Sequence, residues 1–511
     1  MKIQTSQSAV SPPPPRLENP LALSLRAAAL KFPGKTAIVS EEERISYRAL
    51  DGEARRLAQR LIAAGVAPGD RVALHMLNGI DLVVSYLGCF YAGAVAVPIN
   101  TRFKAPEIAY VLGHSGTSLY LGQPELLSEV ASVNSDEHCV RTFIFDVRGF
   151  ASDSEASNRP LPDVDADEPA IIVYTSGTTA RPKGVTHSHR TALRVARGCG
   201  VGSDGVVAIA TPMAHMAGLS MLLASLDAGA TDVISARFDA DRVLDDIASH
   251  GCTELMAMPV MFQQLCAAQL ESPRDVSSLR RCAAGGDNVA PALKATFAQA
   301  FGCPLYEIYG STELGIIAAN WSAAAGLRGS CGSAVPDVEI AISDATRDVR
   351  GVSGECIVKS PGMMIGYWRD PDATAEVVKD GWFHTGDLIR QDPSGYLWFE
   401  GRRKEIIIRG GSNIAPQEVE AALYEHPGVL EAGVVGAPDR AWGERVVAFV
   451  SRTPGSGVQA DELISFVGGR LSAYKTPEQI VFLETLPKSP AGKVQRRALR
   501  QMLACAELER P

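Results

Sequence analysis

The sequence YTSGTTARPKG, from Tyr174 to Gly184, follows directly on the apolar run Ile171 to Val173. Such a run is typical of a buried strand, whereas the residues after it offer few packing groups and many hydrogen-bond donors. Backbone amides in a loop of this kind can point inward to phosphate oxygens, while hydroxyl groups add donors and a lysine adds charge. The stretch therefore favours a polyphosphate site. Its plainer alternative is a flexible surface loop.

A Walker A loop is excluded by the residues around Lys183. That motif places glycine before its lysine and serine or threonine after it, so that the hydroxyl group can hold magnesium. Here Pro182 precedes the lysine and Gly184 follows it. Any phosphate site in this loop must therefore be of another type.

The composition of the chain is that of an ordinary globular protein. Its 511 residues, of which 46% are hydrophobic and 21% charged, predict two to four domains. The net charge of −9 argues against nucleic acid as a partner. Ten cysteines without a C-x-x-C pair indicate reduced thiols and a cytoplasmic location, not a disulfide framework or a zinc site.

Two segments could be mistaken for targeting or membrane elements. Residues 1–20 are rich in proline and lack the apolar core of a signal peptide, so we expect a disordered leader. Leu82 to Ile99 runs 18 residues without a charge, which is the length of a membrane span. Glycine and proline interrupt it, so we expect a buried helix to about Ala92, a strand from Ala94 to Val97, and no stable membrane anchor.

Apolar runs of strand length alternate with helical patterns along the chain. Examples are Arg71–Leu77, Val95–Ile99, Thr142–Val147 and Val206–Thr211. This alternation predicts an α/β protein with parallel sheets and helices on their faces. Short strands separated by turn residues around Gly329 to Tyr367 indicate an antiparallel or barrel-like subdomain.

Four further motifs follow the Tyr174 loop. They are YGSTE (Tyr309–Glu313), GWFHTGDL (Gly381–Leu388), GRRKEIIIRGGSNIAPQEVE (Gly401–Glu420) and LPKSPAGKVQRRAL (Leu486–Leu499). In this order and spacing the set resembles the signature of the acyl-adenylate-forming enzymes. That superfamily includes acyl-CoA synthetases, amino-acid adenylation domains and firefly luciferase. The resemblance runs from about Leu21 to Leu503.

The resemblance implies a fold in two parts. Residues 21–401 would form a large N-terminal adenylation domain of two helix-flanked sheets and a small β-barrel-like subdomain. Residues 402–511 would form a small, mobile α+β C-terminal domain that rotates about a hinge near Lys404.

The resemblance also implies a two-step reaction that uses ATP, Mg²⁺ and coenzyme A. A carboxylic acid would attack the α-phosphorus of ATP to give acyl-AMP and pyrophosphate. A thiol, usually that of coenzyme A, would then displace AMP. The small-molecule acid is thus the expected partner, and a homodimer is one open possibility for the oligomeric state.

Matching residues take roles from the family one by one. The β- and γ-phosphates would be held by Thr175, Ser176, Gly177, Thr178, Thr179 and Lys183. Glu313 would bind the metal ion, because Mg²⁺ prefers one or two carboxylates plus phosphate oxygens, and Thr312 would bind the α-phosphate. Adenine would lie between Tyr309–Gly310 and the segment Gly285, Gly286 and Asp287. Asp387 would accept the ribose hydroxyls, with Arg402 beside it.

The C-terminal residues would serve the two steps differently. Lys493 would reach the site during adenylation, where a placed cation stabilises the charge that grows on the α-phosphoryl group. Gly410 and Gly411 would line the pantetheine tunnel.

Polar residues near these motifs allow plainer interpretations. His187 and His189 could suggest a metal pair, but a position at a helix start is the better prediction because no third ligand is near. We interpret Arg496 and Arg497 as a solvated helix face.

The acid is indicated by PMAHMAG (Pro212–Gly218). Amino-acid-activating relatives carry an aspartate where this chain has His215, so a free amino acid is disfavoured and His215 is expected beside the acyl group. Six of the eleven methionines fall between Pro212 and Phe262, which suits an adaptable apolar pocket or plain core filling. With no arginine nearby in the sequence, an apolar aliphatic or aromatic monocarboxylate, such as a fatty acid, is favoured.

Three alternatives stay open. A ligase that loads a carrier protein would share every residue above, and a luciferase-type oxygenase would share the first step. A non-catalytic nucleotide-binding scaffold would not need Glu313, Asp387 and Lys493 together, so it is disfavoured.

Overall fold

The computed structural model describes residues 19–130, 140, 142–144, 146–152, 159–175, 182–287, 289, 291–321, 329–348, 351–403, 405–409, 412–439, 442–489 and 492–508. The strands are β1 Thr36–Ser40, β2 Glu43–Ser46, β3 Arg71–His75, β4 Val95–Pro98, β5 Leu119–Gly122, β6 Thr142–Ile144, β7 Pro169–Thr175, β8 Lys183–Ser188, β9 Val206–Ile209, β10 Thr231–Ile234, β11 Glu254–Ala257, β12 Arg281–Gly285, β13 Leu305–Ser311, β14 Gly315–Asn320, β15 Ser333–Ala334, β16 Glu339–Asp348, β17 Gly351–Lys359, β18 Gly366–Tyr367, β19 Val378–Lys379, β20 Trp382–Gln391, β21 Leu397–Arg402, β22 Ile407–Arg409, β23 Ser412–Ile414, β24 Val429–Asp439, β25 Gly443–Arg452 and β26 Gln479–Phe482.

The helices alternate with these strands through most of the chain. They are α1 Pro20–Lys31, α2 Tyr47–Ala63, α3 Ile80–Ala92, α4 Ala105–Ser115, α5 Leu127–Val130, α6 Val147–Ser152, α7 His189–Gly198, α8 Met216–Ala228, α9 Ala240–His250, α10 Pro259–Glu271, α11 Pro291–Phe301, α12 Pro371–Val377, α13 Pro416–Tyr424, α14 Ala460–Gly468 and α15 Arg496–Leu508.

Two large sheets form the N-terminal part. The first has the order β15-β14-β13-β12-β11-β9-β10-β1-β2 and the second β18-β8-β7-β4-β3-β5-β6. Both are parallel at their centres and antiparallel at an edge, as the alternating pattern predicts for β-α-β connections. One continuous apolar core, with Leu57, Phe90 and Leu222 among its buried side chains, joins α2, α3 and α8 to strands of both sheets.

The membrane-like stretch is core, as predicted. Every residue of α3 except Asp81 is buried, and β4 follows it. Gly88 permits close packing on α2, because a Cβ there would lie 2.8 Å from Leu57 Cδ2. In the part of the chain that the structure describes, no helix is long and apolar enough to cross a membrane.

A smaller antiparallel sheet, β16-β17-β20-β19 with β21 on β20, follows the first two. It matches the predicted β subdomain, although it begins at Glu339. The C-terminal sheet has the order β23-β22-β25-β24, with β26 parallel to β25. Helices cover both of its faces: Leu423 of α13 packs in one apolar cluster and Leu499 of α15 in another. This is the α+β unit expected for the C-terminal domain.

The change from one sheet to the next falls between Arg402, the end of β21, and Ile407, the start of β22. The boundary at 401/402 and the hinge at Lys404 stay predictions, and Lys404 lies outside the described residues. Residues 1–18 of the predicted leader also lie outside them.

Candidate active site

The hydroxyl-rich loop joins two antiparallel strands at the carboxyl end of β7. Thr175, the last residue of β7, is paired in register with Lys183, the first of β8. Ligands of open α/β sheets bind at this end of the strands. The Lys183 ammonium lies 4.7 Å from the ring centroid of Tyr367. The remaining predicted phosphate ligands, Ser176, Gly177, Thr178 and Thr179, lie outside the described residues.

Thr312 and Glu313 occupy the turn between β13 and β14. The Tyr367 hydroxyl donates to Glu313 Oε1 over 3.0 Å. Gly310 makes the tight hairpin possible, because a Cβ there would lie 2.3 Å from the Gly315 carbonyl oxygen. The turn thus holds one carboxylate, oriented by a phenol. A single carboxylate suits Mg²⁺, which takes its other ligands from phosphate oxygens and water.

Tyr309, Asp387 and Arg402 form a hydrogen-bonded group. The Tyr309 hydroxyl donates to Asp387 Oδ2 at 2.7 Å, and Arg402 Nε donates to Oδ1 at 3.1 Å. The strand register of β20 and β21 sets Asp387 directly opposite Arg402. Burial raises the pKa of Asp387, while Arg402 and Tyr309 act in the opposite direction. The carboxylate oxygens retain lone pairs that can accept further hydroxyl groups.

Gly285 is the last residue of β12, and Gly286 follows it. The two positions require glycine for different reasons. A Cβ at Gly285 would lie 2.5 Å from Ile308 Cγ1, so the neighbouring strand requires this glycine. Gly286 has a φ of +87°, in the left-handed region that favours glycine. The nearest side-chain atoms to its Cβ position are Met258 Cε at 3.8 Å and Lys493 Cε at 3.9 Å. Lys493 therefore reaches the segment predicted to bind adenine.

The loop that carries Lys493 is closed by Ser489. The Lys493 backbone N–H donates to Ser489 Oγ at 3.2 Å, and the Ser489 backbone N–H donates to the Lys493 carbonyl oxygen at 2.7 Å. Gly492, with a φ of +80°, provides the left-handed turn, and its Cβ position lies 3.3 Å from Val260 Cγ1. The C-terminal part thus inserts this loop against α10 of the N-terminal part.

The ammonium of Lys493 is surrounded by charges from several segments. Lys493 is an exposed residue at the surface of the cleft. Partial desolvation by the surrounding protein lowers its pKa, and Arg402 lowers it further. Asp287, Asp387 and Glu313 act against this shift. Carboxylates that the sequence predicts for adenine, ribose and metal binding therefore act electrostatically on Lys493.

His215 lies at the start of α8 and near the same cleft. The side-chain oxygen of Asn100 accepts from the Arg102 backbone N–H at 2.9 Å, so its amide nitrogen faces His215 Nε2, 3.2 Å away. The amide must donate, which leaves the imidazole proton on Nδ1. Burial lowers the pKa of His215 to about 4, with Lys493 and Arg102 acting in the same direction. The imidazole is thus neutral at pH 7.

The methionines around His215 fill the core more than the cleft. Met213, Met216, Met221 and Met261 are buried in the two large apolar clusters. Met256 and Met258 are half-buried, and the methyl group of Met258 faces Gly286 and Gly492.

Some residues of the site were not predicted from the sequence. His187, the last residue but one of β8, donates from Nε2 to the Thr312 carbonyl oxygen at 2.8 Å. Ser188 caps α7, which begins at His189, so the predicted helix start is confirmed for His189. His187 lies in strand β8 instead. No cluster of potential metal ligands occurs among the described residues. Tyr367 and Asn100 were missed because their partners lie far away in the sequence.

The interpretation of Arg496 as part of a solvated face was wrong. Its guanidinium donates to Glu405 Oε2 and to both oxygens of Glu420, each at 2.8 Å. Burial opposes its charge, but Glu420 and Glu405 raise its pKa. Glu405 follows the predicted hinge directly. Lys404, Gly410 and Gly411 themselves lie outside the described residues.

The cleft combines a hydroxyl-rich loop, a carboxylate that could bind a metal ion and a lysine from the C-terminal part. These are groups that a nucleotide-dependent enzyme needs. The family model of the AMP-binding enzymes matches residues 25–368, and that of the AMP-binding enzyme C-terminal domain matches residues 418–493. The chain belongs to the AMP-binding enzymes. The predicted superfamily is thereby confirmed.

Similar proteins are carboxylate-activating ligases. An indoleacetate–CoA ligase of Aromatoleum aromaticum is 36% identical over 92% of this chain and 96% of its own length. The fatty acid–[acyl-carrier-protein] ligase ScoC of Streptomyces coeruleorubidus is 35% identical over 92% and 93%. The crystal structure of ATP-bound MatB from Rhodopseudomonas palustris superimposes with a TM-score of 0.86 at 29% identity, over 95% of this chain and 99% of that one. The predicted fold class and the prediction of an AMP-forming acid–thiol ligase are confirmed.

Proposed function

We propose that this protein joins an apolar monocarboxylic acid, aliphatic or aromatic, to coenzyme A in two steps at the cleft. The observation that carries the proposal is the contact of the Lys493 loop with the N-terminal part: Lys493 Cε lies 3.9 Å from the Cβ position of Gly286, and the Cβ position of Gly492 lies 3.3 Å from Val260 Cγ1. A cation so placed stabilises a phosphoryl group more as negative charge accumulates on it.

In the first step, a carboxylate oxygen of the acid attacks the α-phosphorus of ATP, and the bond to pyrophosphate breaks. Lys493 and Thr312 stabilise the α-phosphoryl oxygens, while Lys183 and the hydroxyl-rich loop hold the leaving pyrophosphate. Glu313 would hold Mg²⁺, which neutralises the phosphate charge when bound. Asp387 fixes the ribose through its free lone pairs.

In the second step, the sulfur of coenzyme A attacks the acyl carbonyl carbon, and AMP leaves. Lys493 has no task in that step, so the C-terminal part can rotate about Lys404 to bring Gly410 and Gly411 to the cleft. Eight of the ten cysteines, Cys89 to Cys356 without Cys139, are free thiols in the structure, which supports a cytoplasmic location.

The nature of the acid rests on His215 and on the relatives. A neutral imidazole whose Nδ1–H has no hydrogen-bond partner among the described residues suits a polar group near the carboxylate of the substrate. The aromatic acid of the Aromatoleum relative supports an aromatic monocarboxylate. The sequence argument against a dicarboxylate is weakened, however, because Arg102 comes close enough to His215 to lower its pKa.

A second candidate is transfer of the acyl group to a carrier protein, which ScoC favours. The deciding experiment is pyrophosphate release with a panel of acids: aromatic, aliphatic and dicarboxylic. Each acid is assayed with coenzyme A, with a phosphopantetheinylated carrier protein, and with neither. Thioester formation with coenzyme A supports the proposal, and transfer to the carrier alone supports the second candidate. Absence of pyrophosphate release with every acid would contradict both.

A further inference from the structure

A second polar cavity lies away from the cleft, between α1, α2, the end of α3 and the segment that leads into β7. Its volume is about 620 Å³, which is the size of a metabolite site. Val164 and Leu161 of its wall precede β7, whereas the phosphate loop follows β7. A strand of seven residues spans roughly 20 Å. The cavity and the cleft are therefore at opposite ends of the same strand.

Three guanidinium groups line this cavity, those of Arg26, Arg55 and Arg159. Within the described residues, none of the three forms an ion pair with a carboxylate, and Asp163 is the one acidic side chain in the wall. Arg26 and Arg55 both act on the charge of Tyr91, so the two share one region. Such a concentration of positive charge stands out in a chain of net charge −9.

Hydrogen bonds of the neighbouring residues fix the wall. The side-chain amide of Gln59 donates to the Arg159 carbonyl oxygen at 3.1 Å and so attaches the loop to α2. The Tyr91 hydroxyl donates to the carboxylate of Asp51 in α2. The Arg55 guanidinium lies 5.9 Å from the Tyr91 ring centroid. The arginines therefore line a preformed recess.

We propose that this recess binds a small multivalent anion of metabolite size, an organic phosphate or polycarboxylate. Arginine presents planar donors that match phosphate and carboxylate oxygens in pairs. One carboxylate would neutralise only one of three guanidinium groups, so a multivalent anion is the better match. Leu161, Val164 and Leu23 provide an apolar side for the carbon skeleton of the ligand.

The proposal is independent of the substrate and acceptor of the enzyme. Two probes distinguish the two classes of anion: inorganic pyrophosphate represents the phosphates and citrate represents the polycarboxylates. Each is titrated calorimetrically into the full chain, the R55Q/R159Q double variant and the R56Q variant. Arg56 is the matched control, because it is an exposed arginine of α2 outside the cavity wall.

We expect at least one probe to bind the unmodified chain and the R56Q control with the same affinity. The same probe should bind the double variant about tenfold or more weakly, because charged hydrogen bonds are lost. The other arginine is tested by R26Q, which should also weaken binding. Pyrophosphate can bind in the catalytic cleft as well. Only the binding that the arginine substitutions weaken is therefore assigned to the recess. The proposal is overturned if neither probe binds, if the double variant binds as the unmodified chain does, or if R56Q weakens binding equally. Circular dichroism establishes that each variant is folded.

Discussion

His187 donates a hydrogen bond from Nε2 to the backbone oxygen of Thr312, 2.8 Å away, and so joins the strand that leaves the phosphate loop to the turn that carries Glu313. A carbonyl oxygen can only accept, so the proton is on Nε2, and Nδ1 can accept from the Thr191 hydroxyl at 3.2 Å. Burial lowers the pKa of His187 to about 4 and keeps it neutral. Two segments proposed to contact phosphate are thus held in register by one imidazole.

Replacing His187 with leucine should therefore slow adenylation about tenfold, because a lost hydrogen bond to a buried carbonyl costs about 1–3 kcal/mol. Single-turnover pyrophosphate release measures this. Glutamine can still donate, so His187→Gln should recover much of the rate at an unchanged KM for the acid. Equal losses in the two variants would mean that His187 matters for packing and not for the hydrogen bond.

Lys493 and Gly411 should fail in different half-reactions. Lys493→Ala should reduce adenylation by roughly 10²–10³-fold, the usual scale for one placed electrostatic group, while acyl-AMP supplied with coenzyme A still forms thioester. Gly411→Leu should do the reverse, because the side chain would block the thiol. Rapid-quench assays of each half-reaction measure both effects.

Lys488→Ala is the control for Lys493, since Lys488 is in the same segment but binds Glu431 at 2.5 Å. It should leave adenylation near its original rate. If the Lys493 and Gly411 variants lost both steps equally, alternation between two domain positions would not describe this enzyme.

Glu313→Gln should raise the Mg²⁺ concentration needed for half-maximal adenylation, because the amide lacks the charge that holds the ion. Tyr367→Phe keeps that charge and removes only the hydrogen bond to Oε1, so its magnesium titration should shift less. Identical magnesium titrations for Glu313→Gln and the unmodified enzyme would exclude Glu313 as the ligand.

Asp387→Ala should raise the KM for ATP about tenfold or more, because the ribose hydroxyls lose a charged acceptor. With 2′,3′-dideoxy-ATP the unmodified enzyme should already bind weakly, and the substitution should add little. If the loss is as large with the dideoxy nucleotide, Asp387 acts through Tyr309 and not through the ribose.

Acid should destabilise the fold partly through His189. This side chain is fully buried, and neither ring nitrogen has a hydrogen-bond partner in the described part of the chain. Burial lowers its pKa from 6.5 to about 4. Between these values the unfolded chain binds a proton that the folded chain does not, so stability is lost as the pH falls through that window.

The contribution of His189 is up to about 3 kcal/mol, from roughly 1.4 kcal/mol per pKa unit. Urea unfolding between pH 7.5 and 4.5 should therefore show a smaller loss of stability for His189→Phe than for the unmodified chain. Phenylalanine retains the edge-to-face contact with Phe90. The same pH dependence in both proteins would show that His189 is not the group responsible.

Local patterns in the sequence were enough to predict the course of the backbone around the site. The glycines and proline after Leu82 predicted the end of α3 and the following strand, because these residues act on their own neighbourhood. The Lys183 loop was predicted from its donors alone. The relation of this loop to Glu313, which runs through Tyr367, was not predicted, because Tyr367 and Glu313 are 54 positions apart in the chain.

The same limit explains the errors. Arg496 was interpreted as solvated because its partners Glu405 and Glu420 lie 91 and 76 positions away, and only the fold of the C-terminal part brings them together. Arg102 was absent from the reasoning on the acid for the same reason. The charged residues near a site in the sequence therefore do not give the charges that surround it in the folded protein.

The ion pairs of Arg496 have a mechanical consequence. Arg496 is three positions after Lys493, and its partner Glu405 follows the predicted pivot at Lys404. The loop proposed to be catalytic is therefore linked by ion pairs to the residue next to the proposed pivot. A small rotation at Lys404 would therefore move the Lys493 loop as one unit, because the ion pairs limit bending between the two.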